Sequence, residues 1–365
     1  MIAYLLPFFI LSLLTLLEEL NRLKSLLKNK YFYCFIAFFF ILFIGLRSEI
    51  GCDWLRYEIM FDKLSSKSFS NILINNFVSG PNHVIKELGH IFITLFSRNI
   101  YILNLIYAII FVVPLFYYCS KIKRVYLSLL ISYPYYIIVV GMGTIRQAAC
   151  ISMIMLSIFL VSQTKYLSHF LLTTFSLLIH QFSILFNCFL LIPLIPKIIK
   201  KKFSKKYIFL FFVVLILFVY SSPSYLIKIY YYITIPSALL GEAKGAIFIW
   251  LINFFPSLIF LLNTRKFNFN SYLNKIFITF SIFAIAMLPL VFLKSVIAYR
   301  LLLYVFPSTI FITSNFPDLK LFKIKSFYIV NSIIFISFLS LIFWLNFAYH
   351  ASCWLPYRNL LFLKI

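Results

Sequence analysis

The sequence predicts an all-α, polytopic integral membrane protein of about twelve spanning helices, and three observations carry that prediction. Hydrophobic residues make up 63% of the 365-residue chain and charged residues only 12%, at a mean hydropathy of +1.02. No water-soluble fold of this length has enough interior to hide that much apolar surface, so lipid must solvate most of it. The apolar residues gather in twelve runs, and the basic residues concentrate on alternate connections between them, the pattern of a chain threaded repeatedly through a bilayer.

The runs lie at 3–17, 31–46, 100–119, 125–140, 148–162, 166–179, 184–195, 207–220, 246–262, 276–293, 301–313 and 327–347. The first has no basic stretch before it and no small-residue cleavage site after it, so it reads as a retained helix and not a signal peptide. Several are shorter than the ~20 residues that cross a hydrocarbon core, and flanking Tyr, Ser and Asn extend them into the interface. The connections 21–30, 120–124, 165, 196–206, 263–275 and 314–326 all fall on one side and hold 20 of the 33 Lys and Arg. Of the acidic residues, only Glu18, Glu19 and Asp318 share that side; Glu49, Asp53, Glu58, Asp62, Glu87 and Glu242 lie on the other. Excess Lys and Arg mark the cytoplasmic side, which puts both termini outside.

The segment 82–96 carries His83, Lys86, Glu87 and His90, too many polar groups for a lipid-facing helix. It reads as an amphipathic helix at the outer interface or dipping partway in, which leaves 47–99 as one large external loop. A second external segment, 221–245, has room for another interfacial helix. The whole chain, 1–365, is read as a single transmembrane domain. A net charge of +24 does not imply nucleic acid here, because the Lys and Arg are strung between apolar runs and form no basic domain. The six cysteines include no CxxC pair, and most lie within apolar runs. Cys52 and Cys353 both face outward, so a disulfide between them is compatible with the threading, although spacing does not place it.

The external face collects an unusual set of side chains. Arg47, Glu49, Asp53, Trp54, Arg56 and Tyr57 follow the second run, Arg146 and Gln147 stand where the fourth gives way to the fifth, His180 occupies an external turn, and Arg300 opens the eleventh. Each has an ordinary reading. An Arg at a helix end snorkels to the headgroups, a lone His in a turn is a surface residue, and Glu49 or Asp53 can pair with Arg47 or Arg56. The side of the membrane shifts the balance: topology places excess cations inside, so Arg146 and Arg300 are not orientation signals. Arginine's planar fork suits diphosphate oxygens, and these positions point to an external site that handles phosphate. No Walker A loop, GxGxxG, GxSxG, HExxH or DxD pattern occurs, so neither a cofactor nor a metal is expected.

The stretches GLRSEIGCDWLRYEIMF, KELGHIFITLF, IRQAACISMIMLSIFL and LLIHQFSILF, with the tail WLPYRN (354–359), resemble the EpsG/Wzy-type polysaccharide polymerases in content and order. The resemblance covers Gly45 to Asn359. It keeps Glu87 and Gly89 but departs at Leu88 and His90, where many members have Pro and Tyr. It implies a membrane glycosyltransferase of the bacterial cytoplasmic membrane, acting at the external (periplasmic) face. Such an enzyme joins oligosaccharide repeat units carried on polyprenyl diphosphate, without nucleotide sugar or ATP, in the company of a flippase and a chain-length regulator. The chemistry then assigns roles. Arg146 and Arg300, with Arg47 in support, clamp the diphosphate, and the helix starts at Arg146 and Arg300 add outward-pointing dipoles. Asp53 and His180 are both candidates for the base that takes the acceptor's proton. Glu49, Trp54, Tyr57, Glu87 and Gln147 line the substrate. A lipid-linked oligosaccharide flippase and a ligase that passes finished polysaccharide to another acceptor are the competing readings.

Overall fold

Lipid offers no hydrogen bonds, so each apolar run must satisfy its backbone internally, and helices are the result. The computed structural model describes residues 1–65, 87–180, 182–194, 230, 234, 243–267, 269–319 and 324–361. In chain order these form α1 (Ile2–Glu19), α2 (Lys30–Gly45), α3 (Trp54–Ser65), α4 (Leu88–Phe96), α5 (Ile100–Ser120), α6 (Val125–Gly143), α7 (Ile145–Ser162), α8 (Tyr166–Ile179), α9 (Ser183–Leu191), α10 (Ala246–Leu262), α11 (Ser271–Ala286), α12 (Leu288–Leu293), α13 (Ser295–Asp318) and α14 (Ser326–Phe347). Among the described residues, α1, α5, α6, α7, α13 and α14 are six helices long and apolar enough to cross a membrane, and α2, α8, α10 and α11 are shorter apolar helices.

Six such helices fall short of the twelve spans expected, for local reasons. The run 184–195 yields only the nine-residue α9 and a 3₁₀ turn, Ile192–Leu194, whose central Pro193 has no N–H to continue the ladder. The run 276–293 divides at Met287 into α11 and α12, with Pro289 in the first turn of the second. The run 207–220 lies outside the described residues, as does nearly all of 221–245. In segment 82–96, the described part forms a helix over Leu88–Phe96 that buries Gly89, His90, Ile91, Ile93 and Thr94 and exposes Phe92 and Phe96. A Cβ at Gly89 would lie 3.0 Å from the Leu178 backbone, so α4 packs directly on α8.

The chain forms two compact units. The first comprises Met1–Phe61, Ser97–Ser152 and Ile310–Ile365; the second comprises Asp62–Phe96 and Met153–Thr309. In the first unit, α1 buries Tyr4, Phe8, Leu11 and Thr15 on one stripe while Leu6, Phe9, Ile10 and Leu13 stay exposed. On α14, Phe335, Ile336, Leu339, Phe343 and Phe347 are likewise exposed, an arrangement stable only against lipid. Helices α2 and α5 approach closely at Gly45, where a Cβ would meet Leu105 Cδ1 at 2.8 Å.

One end of this unit is tied by charge. Glu18 at the end of α1 accepts the Val125 and Tyr126 N–H groups at 2.8 and 3.1 Å, capping α6. Arg124 bonds Glu19 at 2.9 Å and Asp318 at 3.0 Å, and Lys123 reaches Asp318 at 2.8 Å. Burial works against the Arg124 charge, but these carboxylates prevail and raise its pKa. The end of α1 and the basic connections 120–124 and 314–326 therefore meet at one end of this unit. Near the opposite end α6 widens into a π-helix over Tyr133–Val140, all eight residues buried. There Trp354 of the C-terminal tail donates Nε1–H to Ile138 O at 3.1 Å, and Tyr4 donates to Trp354 O at 2.8 Å.

In the second unit, buried and half-buried polar side chains tie the helices together. Asn253 of α10 donates to Leu302 O at 3.2 Å and accepts from Thr309, joining α10 to α13. Trp250 donates to Ala284 O at 3.1 Å, and Tyr272 of α11 to Leu190 O of α9 at 3.1 Å.

Candidate active site

In the first unit, the stretch between α2 and α3 is held in place by the chain's own tail. Arg47 is only 1% exposed. Its guanidinium donates to Ile44 O at 2.7 Å, Ile50 O at 3.3 Å and Asn104 Oδ1 at 3.3 Å, and it stands 5.8 Å from the Trp54 ring. Burial lowers its pKa to about 10, so it remains a cation at neutral pH. The backbone of Arg47 forms an antiparallel bridge with Asn359, flanked by Ser48 N–H to Arg358 O at 3.0 Å and Leu360 N–H to Leu46 O at 2.9 Å. Tyr357 donates to Phe43 O at 2.7 Å, Arg358 pairs with Glu49, and Cys52 is disulfide-bonded to Cys353.

Arg47 is buried, and its guanidinium is engaged by protein acceptors. Glu49 pairs with the tail's Arg358 and with neither Arg47 nor Arg56. Asp53, by contrast, makes no ion pair among the described residues; it is partly exposed at the start of α3, where its carbonyl accepts the Tyr57 N–H at 3.0 Å. Trp54 and Tyr57 are buried one turn apart on the inner face of α3.

Gly51 makes the turn into α3 feasible. Its φ of +98° suits glycine, and a Cβ there would lie 2.6 Å from Met142 O. The neighbouring α6–α7 junction breaks at Thr144 (φ −118°, ψ 65°), so α7 restarts with Arg146 as its second residue. Arg146 is partly exposed and lies 5.4 Å from the Tyr57 ring centroid, while Gln147 is buried. A cation in the first turn of a helix sits at the positive end of the dipole, an unfavourable placement of a few tenths to ~1 kcal/mol that a bound anion reverses.

The second unit holds the remaining predicted residues. His180 ends α8 in an extended conformation (φ −151°, ψ 111°), its ring Nδ1 2.8 Å from the Tyr304 hydroxyl. Tyr304 is fully buried and stacks on Phe186 at 4.6 Å. Arg300 lies one turn before Tyr304, partly exposed and sixth in α13. It does not open its helix as expected, and the dipole's influence fades within the first turn. Glu87 is buried just before α4, with its carbonyl accepting the His90 and Ile91 N–H groups at 2.9 and 3.1 Å. The predicted set thus divides: Arg47, Glu49, Asp53, Trp54, Tyr57, Arg146 and Gln147 belong to the first unit, and Glu87, His180 and Arg300 to the second.

Sequence reasoning missed Asn104, Tyr304, Arg358 and the Arg47–Asn359 bridge. Only the motif-like tail WLPYRN gave any signal for the last two. Cys52, Cys353 and His350 bring ligand atoms within 4.8 Å of one another, but the disulfide consumes both thiolates that a metal would need.

A family model described as the EpsG family matches residues 30–359, from the start of α2 to the tail residue that bridges Arg47. The chain belongs to the EpsG family. No curated protein and no solved structure matches it. Membership in this EpsG/Wzy-type family makes the chain a polysaccharide polymerase-type membrane protein with glycosyltransferase-like activity. In this EpsG protein, the match spans both the α3 cluster and the His180–Tyr304 pair.

Proposed function

We propose that the protein joins polyprenyl-diphosphate-linked oligosaccharide repeat units at the external face of the bacterial cytoplasmic membrane. An acceptor hydroxyl attacks the anomeric carbon of the donor, the C1–O bond breaks, and its electron pair leaves on the polyprenyl diphosphate. The acceptor's proton passes to Asp53 or His180. The transition state carries oxocarbenium character while negative charge grows on the diphosphate, so cations placed there lower the barrier selectively. The observation that carries the reading is Arg146 in the first turn of α7, partly exposed above Tyr57, where cation and helix dipole both favour an anion. Arg300 is proposed as the second diphosphate ligand.

The Cys52–Cys353 bond supports the sidedness, because disulfides persist in oxidising compartments and this one lies beside the α3 cluster, away from the Glu19–Arg124 network of the same unit. The shorter helices α2, α8, α10 and α11 are proposed as further spans, their ends extended by interfacial side chains. The test is replacement of Arg146 or Arg300 by Ala in cells lacking the wild-type gene. Normal membrane levels with loss of long polysaccharide and accumulation of single lipid-linked units are expected. Wild-type chain lengths would remove that arginine from the mechanism, and retention of lipid-linked units on the cytoplasmic side would point to a flippase instead.

A further inference from the structure

We infer that Tyr304 is the positioning residue that makes His180, and not Asp53, the proton acceptor in the glycosyl transfer; the inference rests on the polymerase reading above. Three features of the second unit support it. The Tyr304 hydroxyl lies 2.8 Å from His180 Nδ1, across 124 residues of sequence. Tyr304 itself is 0% exposed and stacked on Phe186 with an interplanar angle of 10°. His180 is partly exposed and extended at the end of α8, with its backbone fixed by N–H to Ser176 O at 2.9 Å and C=O from Ser183 N–H at 3.1 Å. A buried hydroxyl therefore meets one ring nitrogen of a histidine whose backbone is hydrogen-bonded on both sides.

A histidine base must present one nitrogen without its proton while the other is held by a partner that fixes tautomer and orientation. The inference assigns the Nδ1–H tautomer, in which Nδ1–H donates to Tyr304 Oη and proton exchange falls to Nε2. As the acceptor oxygen bonds to C1 and the C1–O bond to diphosphate breaks, the hydroxyl proton moves to Nε2. The imidazolium so formed keeps its Nδ1–H bond to Tyr304 and later releases the Nε2 proton to water. Asp53 has no comparable partner among the described residues to hold its carboxylate.

The experiment uses the full-length protein in proteoliposomes, with the lipid-linked repeat unit extracted from cells lacking the polymerase as substrate. Tyr304→Phe keeps the stack on Phe186 and removes only the hydroxyl. It is expected to lower kcat about ten-fold with KM unchanged, a partial loss of the ~10²–10⁴-fold that a positioned base contributes. His180→Ala is expected to lower kcat at least about 100-fold, and Tyr304→Phe should add nothing in that background. Incorporation of 2,3,5-trifluorotyrosine at position 304, which weakens the phenol oxygen as an acceptor without removing it, should lower kcat several-fold and shift the His180 Nδ1 resonance in ¹⁵N spectra. Wild-type kcat in Tyr304→Phe and in the fluorinated protein, or an equal Tyr304→Phe effect with and without His180, would overturn the inference while leaving the polymerase reading intact. Wild-type polymerisation by His180→Ala removes His180 as the base and overturns it as well. Failure of both the wild type and Arg146→Ala to make polymer from this substrate strikes the function proposal instead.

Discussion

Replacing Arg47 with Ala separates an arginine that builds the site from one that acts in it. The substitution removes a guanidinium that donates to Ile44 O at 2.7 Å and to Ile50 O and Asn104 Oδ1 at 3.3 Å each. Hydrogen bonds from a charged donor contribute about 1.5–3 kcal/mol, so the short bond counts near the upper figure and the two long ones near or below the lower. The gross loss is about 5 kcal/mol. The vacated acceptors are buried with Arg47 at 1% exposure and each costs about 1–3 kcal/mol if left unpaired, so a net destabilisation of about 3–5 kcal/mol follows. Arg47→Lys should recover about a third of this, since an ammonium reaches one of the three acceptors well. The assay is detergent-solubilised thermal stability by fluorescence-detected size exclusion, with Arg146→Ala in parallel. Arg47→Ala should melt well below wild type, whereas Arg146→Ala should melt within a degree or two of it and yet make no polymer. A wild-type melting profile for Arg47→Ala combined with loss of polymer would refute the anchor role and return Arg47 to the substrate.

Gly51→Ala should destabilise the turn into α3, because its φ of +98° disfavours a side chain and the new Cβ would lie 2.6 Å from Met142 O; a drop of at least about 1–2 kcal/mol should appear in the same melting assay. For the Cys52–Cys353 bond, a membrane-impermeant maleimide should label neither cysteine in intact cells until an impermeant reductant is added. Labelling only after the membrane is permeabilised would place that end in the cytoplasm and invert the topology.

Much of the helical organisation could be read locally. The runs 166–179 and 246–262 coincide with α8 and α10, because backbone satisfaction in lipid depends on the residues within each segment. Prolines and helix ends blurred others: the run 301–313 hid a helix that starts six residues before Leu301, since VIAYR continues the hydrogen-bond ladder without a strong hydropathy signal. That shift moved Arg300 from the opening of its helix to its sixth residue.

Composition and the length of the apolar runs determined that this chain belongs in a bilayer. The ordered motifs pointed to the EpsG/Wzy-type polymerases before any contact was known. Only the tertiary structure decided what those residues hold: Arg47 against Asn104 and Asn359, Glu49 against Arg358, Cys52 against Cys353, and His180 against Tyr304. These partners stand 57 to 312 residues apart in the chain. Hydropathy and helical period are properties of a single segment, whereas the partner of a polar side chain is set by how separate helices pack, and no local pattern encodes that choice.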